Sequence, residues 1–77
     1  MNLYLISQSV NNDYDTFDSA IVAAESDEDA RRMHPGGDYD EPGRTWTADQ
    51  SKVQVELIGI AKEDTKAGVV LASFNAG

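Results

Sequence analysis

Asp38-x-Asp40-x-Pro42-Gly43, with Asp49 at the twelfth position, sets carboxylates at roughly the spacing of a calcium loop. Such a loop needs an oxygen ligand at position five and a bidentate Glu at position twelve. Here those positions hold Pro42 and Asp49, and the segment that follows reads as a strand instead of an exiting helix. Asp13-x-Asp15 lacks both the turn glycine and the terminal acid. His34 is the only histidine. Its position at the end of an expected helix suits a protonated capping group better than a catalytic base. Pro35-Gly36-Gly37 follows a helix and has no Lys or Ser/Thr partner, so it is not a phosphate loop. No Gly-x-Ser-x-Gly surrounds a serine, and no cysteine offers a thiolate. Carboxylates abound, yet general-acid work needs one of them buried with a raised pKa, and nothing in the pattern suggests that burial. No enzyme, metal or cofactor is expected.

What the residues offer instead is charge beside aromatic rings. The chain carries 14 acidic and 6 basic residues, for a formal net charge of −8. Residues 1–30 hold Asp13, Asp15, Asp18, Glu25, Asp27, Glu28 and Asp29 with no base. Residues 31–77 are close to balanced. Asp13 and Asp15, two apart in an extended turn, would project from one side about 6.6 Å apart. Tyr14 lies between them, and Tyr39 lies between Asp38 and Asp40. Acids interleaved with Tyr suit a basic protein groove, where the ring supplies rigid contact area and the carboxylates meet Arg or Lys. A blander account also holds: turn acids close turns, helix-start acids serve the helix dipole, and net charge keeps a small domain soluble. Trp46 reads as core, pinning its loop to the core edge. The acidity argues against direct contact with nucleic acid or an anionic membrane, both polyanions.

The elements that must position these residues fit one domain spanning residues 1–77. Hydrophobic residues make up 40% of the chain, enough for a small core. No apolar run approaches the ~20 residues of a membrane span. The first residues lack the basic region and long apolar stretch of a secretory signal, so the cytoplasm is the expected compartment. Residues 3–10 predict a strand, with Leu3 and Leu5 on one face and Tyr4, Ile6 and Val10 on the other. Residues 11–16 are turn chemistry, and 17–24 return as a second strand to close a hairpin.

Ser26 opens a helix of about nine residues, accepting the amide of Asp29. Asp27, Glu28 and Asp29 sit at its positive end, and Asp27–Arg31 and Glu28–Arg32 form i,i+4 pairs. His34 falls in its last turn, and Pro35-Gly36-Gly37 ends it. Ala30 and Met33 form a stripe that must lie on a sheet, because so short a helix is unstable alone. Thr47-x-x-Gln50 would cap a single turn. Residues 53–61 alternate as a third strand, with Val53, Val55 and Leu57 inward and a bulge at Gly59. Residues 69–74 are the fourth. The expected fold class is α+β: a small β-β-α-β-β domain, an antiparallel sheet of about four strands with one short helix on one face.

Three stretches carry a resemblance. They are Met1-Asn-Leu-Tyr-Leu-Ile-Ser-Gln, then Tyr14-Asp-Thr-Phe-Asp-Ser-Ala-Ile-Val-Ala-Ala-Glu-Ser with the following Asp-Ala-Arg and His34-Pro35, and the ending Gly68-Val-Val-Leu-Ala-Ser-Phe-Asn-Ala-Gly77. Together they cover about half of the chain and resemble a family of small, mostly uncharacterised proteins of tailed phages and prophages. Residues 36–50 are shorter than that pattern. The resemblance implies context, not a catalytic motif: small acidic phage proteins often bind and block a host protein. Anti-CRISPR proteins, which occlude the nucleic-acid-binding surface of a Cas complex, are one such class.

The leading expectation is therefore a non-enzymatic inhibitor that docks on a basic, nucleic-acid-handling host surface, with Asp13, Tyr14, Asp15, Asp18, Asp27, Glu28, Asp29 and Tyr39 as partner-binding residues. The alternative is a phage structural or interaction module, monomeric or paired through a sheet edge into a homodimer. A third class, a small metal-binding or catalytic protein, rests only on the Asp38–Asp49 spacing.

Overall fold

A computed structural model describes residues 1–11, 14–37 and 43–75. The chain order is β1 (Asn2–Ser7), β2 (Thr16–Ala24), α1 (Asp27–Arg31), a 3₁₀ turn (Gln50–Lys52), β3 (Gln54–Ile60) and β4 (Gly68–Asn75). All neighbouring strands run antiparallel, in the spatial order β3-β1-β2-β4. This is the expected α+β architecture, with the first hairpin at its centre and the two later strands at its edges.

Alternation decides which side chains make the core. Tyr4 pairs with Val22 and Ile6 with Ala20, and all four point to the face that α1 covers. Ala24, Ala30, Val53 and Trp46 complete the buried cluster, with Phe17, Met33, Val55 and Ala72 packed against it. Trp46 is buried in this cluster, as its isolation among polar loop residues implied. The cover over the sheet thus has two parts: the single turn and a half of α1, and the loop carrying Trp46. That loop is tied down where Phe17 donates its amide to the Thr45 carbonyl at 2.8 Å. It is held again where the Asn11 side-chain amide donates to the carbonyls of Gly43 and Arg44. No helix covers the opposite sheet face among the described residues: Leu3, Leu5 and Ile21 are half-buried there, and the small Ala23 is buried beside Leu3.

Several local expectations change. The first strand stops at Ser7, not residue 10, because the Gln8 side chain begins the turn. Helix α1 ends at Arg31, with Arg32 as its C-cap, well short of nine residues. Pro35 explains this: the residue before a proline is pushed out of the helical region. His34 consequently lies past the helix end, where its Nδ1 accepts the Gly36 amide at 2.9 Å and its ring meets Phe17 edge-on. There it closes a turn. Neither expected i,i+4 ion pair forms among the described residues; Arg31 instead donates to the Val53 carbonyl. The 3₁₀ turn is capped by Asp49 instead of Thr47. Thr47 Oγ1 instead accepts the Asp49 amide and donates to the Asp49 carbonyl. The β3 bulge falls at Ile58, one residue before Gly59: Tyr4 pairs with Leu57 and Leu3 with Gly59. Val53 is buried and Val55 half-buried as expected, but Leu57 on the edge strand is 61% exposed.

Candidate interaction site

Tyr14 is the most exposed aromatic side chain described, at 75% of its free area. It sits in the β1–β2 turn, and Asp15 beside it holds a left-handed backbone conformation (φ 61°). Asp and Asn adopt that conformation more readily than most residues. The turn is held from below by Gln8, which is buried at the end of β1. Its amide nitrogen donates to the carbonyls of Asn11 and Phe17, at 2.6 and 2.9 Å. Its amide oxygen accepts the backbone N–H groups of Val10 and Asn11, at 3.1 and 2.8 Å. One carboxamide therefore does for this turn what a short hairpin ladder would otherwise do. The signal was in the alternation: Gln8 shares the parity of Tyr4 and Ile6, so a polar group was due inside.

Asp18 is exposed three residues further on. It is the extra residue of a bulge in β2, where Phe17 pairs with Phe74 and Ser19 with Ser73. A bulge re-aims the side chain it displaces, which turns Phe17 into the core and leaves Asp18 to solvent. Phe17 and Phe74 meet edge to face, with ring centroids 4.8 Å apart. Tyr14, Asp15 and Asp18 thus share one end of the sheet, with the backbone of Arg44 docked beside them through Asn11.

Asp27, Glu28 and Asp29 are exposed in the first turn of α1, where the Ser26 hydroxyl accepts the Asp29 amide at 3.2 Å. They follow the other end of β2. From Asp18 to the end of β2 at Ala24 is six steps of strand, about 20 Å at ~3.3 Å per residue, in a molecule whose longest extent is 35 Å. The acidic half of the sequence is therefore two patches at opposite ends of the sheet, not one. Asp13 and Tyr39 lie outside the described residues, as do Asp38 and Asp40 of the calcium-like spacing. Among the described residues no group of three His, Asp or Glu side chains comes together as a metal site.

The Asp49 carboxyl is held below its ordinary range. The Ser51 hydroxyl is the main cause, at 2.6 Å, followed by the Ser51 amide at 3.0 Å. That engagement makes Asp49 a cap. Among the described residues, no helix is long and apolar enough to cross a membrane. Comparison with protein-family models, curated proteins and solved structures finds no match.

Proposed function

We propose that this chain is a non-enzymatic binding protein that docks on a basic, nucleic-acid-handling surface of a host defence protein, as a phage inhibitor of the anti-CRISPR kind does. The observation that carries the reading is the Tyr14 end of the sheet. A solvent-exposed aromatic ring stands on a turn braced by buried Gln8, with Asp15 and Asp18 on its flanks. A preorganised Tyr loses little freedom on binding, and carboxylates around it meet Arg or Lys that would otherwise hold phosphates. The second acidic patch, at the start of α1, adds long-range attraction to the same basic partner. Steering of this kind weakens as salt screens it. The protein acts in the host cytoplasm under this reading, and needs neither metal nor cofactor.

Affinity capture from nuclease-treated host lysate at about 50 and about 300 mM salt tests it. The expected result is one basic, nucleic-acid-handling protein retained at low salt and weakened at high salt. Changing Asp13, Asp15 and Asp18 together to Asn should abolish that capture. Changing Asp27, Glu28 and Asp29 to their amides should only slow association. Undiminished capture by the first variant would remove the Tyr14 end from the interface.

A further inference from the structure

β4 forms one edge of the sheet, and a bulge at Val70 is the one device it carries against pairing. Gly68–Asn75 contains no charged residue and no proline. Natural edge strands commonly carry both, because a free row of N–H and C=O groups templates another strand. The other edge is protected: β3 carries Glu56 and runs into Lys62, Glu63 and Asp64. Both edges expose apolar side chains, Leu57, Ile58 and Ile60 on β3 and Val69, Val70, Leu71 and Phe74 on β4, but on β4 no charge interrupts them. On the uncovered face, Leu5 pairs with Ile21 and Ile21 with Leu71, so an apolar row runs across three strands and stops at the edge.

We propose that the partner for this edge is a second copy of the same chain, joined β4 to β4 about a twofold axis into one continuous antiparallel sheet. Charge selects this occupant. A basic partner is recognised through carboxylates, and β4 has none. Two copies that each carry −8 can approach closely only where the surface is neutral, and β4 is the longest neutral exposed segment among the described residues. Symmetry sets the direction. A twofold axis that continues the sheet relates antiparallel strands, whose hydrogen-bonded pairs are symmetric, whereas parallel strands bond asymmetrically and cannot close on themselves.

The bulge at Val70, between the Ile21–Leu71 and Val22–Val69 pairs, leaves Leu71–Asn75 as the regular stretch. The axis accordingly passes near Ser73, with Ala72 opposite Phe74 of the second copy. An isologous contact of this kind closes at two copies, so it ends in a dimer and not a filament.

The inference does not depend on the basic-partner reading, and it makes the opposite salt prediction. Sedimentation velocity of the purified chain from about 5 to about 500 µM, at about 50 and about 300 mM salt, reads it directly. The sedimentation coefficient should climb from monomer to dimer with concentration. It should climb earlier at high salt, because screening relieves the −8 on −8 repulsion. Leu71→Lys should remain monomeric throughout, with the melting temperature of the dilute, monomeric wild-type chain. Ser73→Lys provides the same test should the first variant fold poorly. The chain has no cysteine, so single cysteines report direction: Ser73→Cys should oxidise to a disulfide-linked dimer, and Val69→Cys should not. A wild-type chain monomeric under all conditions overturns the proposal, as does a Leu71→Lys variant that associates normally. Association that weakens with salt, or equal cross-linking at positions 69 and 73, overturns it too. So does a chain that stays monomeric alone but takes up a foreign extended peptide along β4.

Discussion

Replacing Gln8 by Ala removes four hydrogen bonds from one turn. Two of the groups left behind, the amides of Val10 and Asn11, lie where water can reach them, while the Phe17 carbonyl is more enclosed. The loss should be about 1–3 kcal/mol, well below four separate bonds, because solvent takes over part of the bonding. Urea unfolding measures that cost, and faster hydrogen exchange at the Val10 and Asn11 amides would show that the turn opens while the sheet stays formed. Asp49 gives a second residue-scale prediction. Its folded pKa lies below the ordinary 3.8 because Ser51 bonds to the ionised form. The unfolded chain therefore takes up a proton first as pH falls. This contribution to stability is present above about pH 3.8, fades below it, and ends once the folded carboxyl protonates as well. Asp49→Asn should remove that share of the acid sensitivity, seen as a shallower fall of Tm between pH 5 and pH 2 in thermal scans.

Between elements, the contact that fixes α1 is a long cation reaching across to a strand. Arg31 donates to the carbonyl of Val53, a buried residue just before β3. A five-residue helix has no stability of its own, so this bond and the burial of Ala30 hold it to the sheet. Arg31→Ala should cost about 1.5–3 kcal/mol, as the loss of a charged donor to a partly buried carbonyl does. Arg32→Ala, exposed one residue on, should change stability by less than about 0.5 kcal/mol. Equal losses in denaturant titration would show that α1 needs only helix propensity. This interaction also marks where sequence reasoning stops. The four strands, the Ser26 cap and the inward face of the third strand follow from local alternation and spacing, and the structure has them except at Leu57, which the edge of the sheet leaves exposed. An i,i+4 pairing rule sees only the helix, so it assigned Arg31 to Asp27 when a carbonyl 22 residues away was the better acceptor. Strand order was illegible for the same reason: whether β4 is an edge depends on pairings between segments more than 40 residues apart. The two acidic patches looked like one because nearness in sequence hides the length of β2.

For the molecule as a whole, the covered side of the sheet depends on one residue that belongs to no element. At roughly 0.05–0.15 kcal/mol per residue, a chain of this length has about 4–12 kcal/mol of stability. Removing a buried Trp side chain costs about 3–5 kcal/mol. Trp46 is the only tryptophan, and it closes the half of the core that α1 is too short to reach. Trp46→Ala should therefore remove about a quarter or more of that stability, lowering Tm sharply and unfolding the chain outright if its stability lies at the low end of that range. Trp46→Phe keeps most of the ring volume and should preserve the fold with a lowered Tm. Far-ultraviolet circular dichroism separates the two variants, and the wild-type protein reports its own unfolding through the red shift of Trp46 emission. The losses should also be sensed at a distance. The loop that carries Trp46 bonds through Thr45 to Phe17 and through Gly43 and Arg44 to Asn11, beside the turn that presents Tyr14. A Trp46→Phe chain that folds but exposes the Asn11 and Phe17 amides to exchange would show that core and candidate surface are one mechanical unit. Unchanged protection at those amides would show that Gln8 alone holds the turn.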